Sequence, residues 1–320
     1  MKKKLVSLSL CLILFSLAFV TSSFAAPAGK DINITVVYHD TGIEFGQVIK
    51  AGALAAGKEL GINVEFVGPI GIKVDEEVAF VENAITKRVS GLAISNVNGE
   101  ALNPVIDKAM AANIPVVTYN SEAAGSKRMG FFGQDLVLSG KVAGDALKEF
   151  MGADGKILII TGEAAASWSQ DRENGAKASI AKYPGIKIVN TISTGWEEQA
   201  QYAAIENAIR ANPDLKGIIS LDAATTPATG RALLRLKKAG TIKHVGFDLI
   251  PETLDNVKSG ATNVALSQNP YMQGYMPVKA LYEFITTKKA IKSSDTGILR
   301  VDTKNVDEYL MKLKKGEPIG

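Results

Sequence analysis

Along this chain a polar or aromatic residue repeatedly stands close behind a short, β-rich apolar run. His39 and Asp40 follow ITVVY (34–38), Asn96 follows GLAIS (91–95) and Asn120 follows VVTY (116–119). In the second half, Glu163 comes after KILIIT (156–161), Trp196 after the run 186–192, Asp222 after GIISL (217–221) and Asp248 after HVGF (244–247). Hydrogen-bonding groups of both senses beside flat apolar walls are the chemistry that holds a polyhydroxylated solute. Trp168 and Trp196, the only two tryptophans, lie in polar surroundings (AASWSQDR and STGWEEQ), and Arg172 adds a planar fork of donors. Arg172 is expected in the first turn of a helix, where the dipole disfavours a cation, so a functional role for it is favoured over a solvated one. Plainer roles fit some of these residues as well. Asn120 and Asp248 could cap the helices that follow, either tryptophan could be core, and His39 could be a strand-end histidine bonded to backbone.

Catalytic signatures are missing from the same stretches. His39 and His244 are the only histidines and Cys11 is the only cysteine. The sequence contains no metal-ligand spacing, no G-x-S-x-G elbow and no G-x-x-x-x-G-K-[ST] loop. HDTGIEFG after the first run lacks the G-x-G-x-x-G spacing of a dinucleotide site. The expectation is a binding protein, not an enzyme, that needs neither cofactor nor metal and acts as a monomer.

The elements that would position these residues alternate almost from end to end. Apolar runs at 34–38, 64–67, 91–95 and 116–119 are separated by helix-period segments at 45–60, 76–87 and about 102–112. The alternation resumes with strands at 156–161, 186–192, 217–221 and 244–247 and helices at 171–182, 197–212, up to about 238, and 252–258. Strands alternating with helices imply parallel sheets covered on both faces, with ligands held beyond the carboxyl ends of the strands. The doubled pattern predicts an α/β fold of two doubly wound parallel-sheet lobes. Late strands at 264–268 and 297–301 would serve as further crossings between them. The three crossings are expected near Gly133, Gln268 and Thr296, which gives a first lobe of 31–133 plus 269–295 and a second of 134–268 plus 296–313.

At the N-terminus, Lys2–Lys4, an apolar run to about Val20, and Ser23-Phe24-Ala25 form the pattern of a cleavable export leader over residues 1–25. Cys11 lies inside the apolar run, away from the cleavage point, so the reading is a periplasmic protein without a lipid anchor. The formal charge is +3, and the leader carries three lysines, so the remainder is close to neutral. That balance points away from nucleic acid and from anionic membrane surfaces.

Six segments in order carry a resemblance. They are 45–61, IPVVTYNSE (114–122), LVLSGKVAGDAL (136–147), SWSQDRENGAK (167–177), VGFDLIPE (245–252) and ALSQNPYMQG (265–274). Over about 31–313 the chain resembles the type I periplasmic sugar-binding proteins of ABC importers, the family of the ribose-, rhamnose- and autoinducer-2-binding proteins. The resemblance implies hinge closure around a monosaccharide or small polyol, with delivery to an inner-membrane ABC permease or presentation to a chemoreceptor or sensor kinase. It implies that Arg172 grips hydroxyls, that Trp196 stacks on the sugar, and that Asp222, Asp248 and Gln268 hydrogen-bond it. Where ribose-type members have an Asp-Arg pair after the fourth strand, this chain has Asn120-Ser121. DTGIEF (40–45) replaces the family's Asn and paired Phe, which leaves Phe45 as the stacking face and Asp40 and Glu44 without equivalents.

Overall fold

The structure, a computed structural model, describes residues 31–122 and 124–319. The expected leader, 1–25, lies outside the described residues. The first half supplies strands β1 (Asn33–Val37), β2 (Asn63–Val67), β3 (Gly91–Ile94), β4 (Val116–Tyr119) and β5 (Phe131–Gly133). Helices α1 (Glu44–Leu60), α2 (Val74–Thr86) and α3 (Gly99–Ala111) connect the first four strands. After α4 (Leu136–Met151) come β6 (Asp154–Thr161), α5 (Ser167–Ile180), β7 (Gly185–Ser193), α6 (Glu198–Ala211), β8 (Leu215–Ser220), α7 (Thr225–Arg235), β9 (Lys243–Phe247), α8 (Pro251–Lys258) and β10 (Val264–Ser267). The chain closes with α9 (Pro270–Thr287), β11 (Ser294–Asp295), β12 (Leu299–Asp302) and α10 (Val306–Lys314).

Two six-stranded sheets result, ordered β11-β5-β4-β3-β1-β2 and β12-β10-β9-β8-β6-β7. The orders correspond strand for strand, so the halves repeat one design. The chain passes from the first sheet to the second after β5, back after β10, and over again after β11. Among the described residues every strand pairing is parallel except β10–β12, so an antiparallel edge strand completes an otherwise parallel second sheet. The central strands read as unbroken apolar runs because helices bury both of their faces; β3, β4 and β10 are buried throughout.

In each lobe two helices meet backbone to backbone through a reciprocal pair of glycines. A side chain on Gly52 of α1 would strike the carbonyl of Tyr271, and one on Gly274 of α9 the carbonyl of Ile49, each at 2.0 Å. In the second lobe, Gly140 of α4 faces the carbonyl of Arg172 and Gly175 of α5 that of Val137, again at 2.0 Å. Only glycine permits this approach. One helix of each pair, α9 or α4, arrives directly from a crossing. The second contact also fixes the turn of α5 that carries Arg172.

Candidate functional site

The carboxyl ends of both sheets face each other around a cavity of about 360 Å³. From the first lobe come His39 behind β1, Glu44 and Phe45 at the start of α1, and Asn120 behind β4. The second lobe contributes Trp168 and Arg172 on α5, Trp196 behind β7, Asp222 behind β8 and Asp248 behind β9, and Gln268 enters from the second crossing. The lobes touch across the cleft. Leu136, Ala166 and Trp168 belong to the same apolar cluster as Val97 and Leu102, and Ala223 packs against the cluster that holds Phe45.

Arg172 is 2% exposed. Its Nη1 donates to the carbonyl of Leu221 at 2.7 Å, and the guanidinium lies 4.1 Å from the centre of the Phe247 ring. Burial pulls its basicity down, while the carboxylates of Asp248 and Asp222 oppose that pull. Its Nε, buried on the cavity wall, has no partner among the described residues. Neither does the indole Nε1 of Trp196, whose ring stands 6.3 Å from that of Trp168, tilted by 54°. Buried donors are rarely left unpaired, and both of these belong to residues that line the cavity.

The two aspartates differ. Asp222 is held by backbone: its Oδ2 accepts from the N–H of Gly162, and its Oδ1 from those of Ala224 and Thr225. Asp248 accepts a side-chain bond from Gln268 Nε2 at 2.8 Å. Burial pushes its pKa up to about 6, against the pull of Arg172 and of the Gln268 hydrogen bond. Asp248 does not cap α8, whose N-cap is Ile250 with no side-chain bond. Asn120 is no cap either, since its side chain is engaged by Ser95, Gln268 and Gln273. The capping-type role falls to Asp222.

A chain of buried polar bonds ties the walls together. His39 Nδ1 meets Ser95 Oγ at 2.8 Å, and Ser95 donates to Asn120 Oδ1. Asn120 Nδ2 donates to Gln268 Oε1 and Gln273 Oε1, and Gln268 passes the chain to Asp248. Burial lowers the pKa of His39 to about 3, so the imidazole is neutral here.

Of the thirteen residues singled out, ten line the cavity and three do not. Asp40 turns back to accept from the N–H groups of Gly42 and Gly71, tying its own loop to the one after β2. Asn96, fully buried, donates to Asn103. Glu163, also chosen by its position, accepts from the N–H of Ala165. Arg172 lies in the second turn of α5, because the helix begins at Ser167; the dipole argument for its role fails, and the cavity geometry replaces it. Sequence reasoning missed Tyr38, Gln201, Arg231 and Ile250 on the wall. Tyr38 ends the ITVVY run, buried with its ring beside that of His39; the other three sit on or before helices, where periodicity says nothing about the cleft.

The sequence pattern of the periplasmic binding protein domain family matches residues 34–289. The chain belongs to that family. Among relatives of this periplasmic binding protein, the xylose/arabinose-binding protein XylF of Sulfolobus acidocaldarius is 26% identical over 295 residues, covering 87% of this chain and 73% of XylF. The D-allose-binding periplasmic protein of Escherichia coli K12 is 25% identical, covering 87% and 91%. An ABC transporter solute-binding protein from Burkholderia graminis, crystallised with D-arabinose, superposes with a TM-score of 0.85 at 28% identity, covering 88% and 99%.

Proposed function

We propose that this periplasmic binding protein captures a monosaccharide or similarly small polyol between its lobes and delivers it to an ABC importer. The observation that carries the reading is one cavity, walled by both lobes, in which Phe45, Trp168 and Trp196 supply flat faces beside Arg172, Asp222, Asp248, Asn120 and Gln268. A sugar ring offers apolar faces and an edge of hydroxyls that donate and accept. Carboxylates take the hydroxyl protons, and the guanidinium and indole N–H groups supply the donors. Because contacts come from both lobes, a ligand stabilises the closed arrangement over an open one. The relatives named for xylose, arabinose and allose, and the neighbour bound to D-arabinose, support a small neutral sugar. The leader pattern of residues 1–25 supports export, and the importer association of the Burkholderia protein supports a permease as partner. Capture, not catalysis, suits a site whose only imidazole is neutral and tied to Ser95.

The test is a thermal-shift screen of the leaderless protein against pentoses, hexoses, deoxy-sugars and polyols, followed by calorimetric titration. A cognate sugar at a hundredfold excess over its Kd should add about 2.7 kcal/mol of stability. Stabilisation by amino acids or peptides, with none by any sugar or polyol, would sink the reading.

A further inference from the structure

Gln134 stands one residue past β5, the place that Gln268 holds past β10. It is 1% exposed and takes no part in lining the cavity. Its Nε2 donates to the carbonyl of Gly297 at 3.0 Å and to that of Ser267 at 3.3 Å. Ser267 ends the strand before the second crossing, and Gly297 lies in the third. One side chain in the first crossing therefore holds the backbones of the other two. Other ties include a backbone bond from Thr296 to the carbonyl of Gly133, and the Gln273 side chain, which donates to Gln268 and to Thr296 Oγ1. The Oε1 of Gln134 is buried without a partner among the described residues.

We propose that Gln134 is a positioning residue for ligand capture: by clipping the three crossings together it favours the closed arrangement of the lobes and so sets the affinity of a site it never touches. Opening a hinge rotates its strands against one another, and two bonds from a single nitrogen to two different strands tolerate little of that rotation. A binding-competent state populated at a smaller fraction lowers the apparent affinity by that fraction.

The test uses Gln134→Met and Gln134→Leu, each of which removes both donors with a side chain of similar size. Small-angle scattering of the ligand-free, leaderless protein is the first readout. Both variants should shift to a larger radius of gyration than the native protein, and this holds whatever the ligand proves to be. Titration with D-arabinose, or with whichever sugar the screen identifies, should then give a Kd raised about tenfold. The inference rests on the capture reading only for this second readout; if no sugar binds, the scattering result still decides it. A lowered melting temperature with unchanged scattering would make Gln134 a structural residue only and overturn the proposal. If Gln134→Met does not fold, Gln134→Leu carries the same two readouts.

Discussion

Asn120 and Asp248 hold matching positions in the two lobes, one behind β4 and one behind β9. Both adopt left-handed backbone, with φ of 60° and 70°, and both donate their N–H to the neighbouring strand, Asn120 to Phe132 and Asp248 to Leu266. Asparagine and aspartate tolerate that conformation better than most residues, so the turn explains the residue pair but not the choice within it. Position in the cleft explains the choice. Asn120 needs both senses of hydrogen bond, because it accepts from Ser95 and donates to two glutamines. Asp248 only accepts, and it faces Arg172. The first lobe thus presents a mostly uncharged junction, while the second holds a charged clamp.

The strongest way to break this contrast is to remove the clamp's cation. Arg172→Ala should weaken sugar binding about a hundredfold or more by calorimetry, because it deletes charge-assisted bonds and leaves Asp248 without its cation. Near-native affinity would mean that the clamp is structural only. Making the two positions alike from the other side, Asn120→Asp replaces two donations with a buried carboxylate facing two amide oxygens. A loss of about 2–3 kcal/mol in denaturant unfolding is expected.

Asp248→Asn keeps the left-handed turn and removes only the charge, so it tests the clamp more cleanly than alanine. Binding should weaken about tenfold. It should also abolish a pH effect in the native protein, whose affinity is expected to fall as pH drops below about 6 and Asp248 takes up a proton. For stability the sign is opposite. A carboxyl whose folded pKa is raised stabilises the fold at pH below its unfolded value, and this contribution disappears as pH rises through about 6. The histidines work the other way. His39 and His244 have folded pKa values near 3, so stability should fall with acidification from about 6.5 downward, by at most about 1.4 kcal/mol per pH unit for each. Replacing both by asparagine should flatten that limb of the melting-temperature profile. The gentlest test is optical. Saturating sugar should alter the emission of the two indoles, and Trp196→Phe should remove most of the change; an unaltered spectrum would count against stacking.

Much of the alternation was legible because a buried parallel strand is a plain apolar run. The run 116–119 coincides with β4, and Phe45–Leu60 falls one residue short of α1. Elements β5 and β11, three and two residues long, offer too little pattern to read. At the site, strand ends located Asn120, Asp222 and Asp248, but the rule cannot say which way a side chain turns. Asp40 and Glu163 chose backbone N–H groups, Asp40 in its own and a neighbouring loop and Glu163 in its own, a contest decided by turn geometry. Gln134 carried a signal that alignment of the two halves would have exposed, since it is the counterpart of Gln268.

The glycine contact between α1 and α9 also bears on how the protein comes into being. Gly52 must wait for Gly274, some 220 residues later, before the first lobe can close its helix layer. A chain emerging from its N-terminus therefore cannot finish its first lobe until almost all of the second has been made. Contacts this distant in sequence slow folding. The newborn protein should remain incompletely folded through most of its synthesis, with both lobes maturing together near the end.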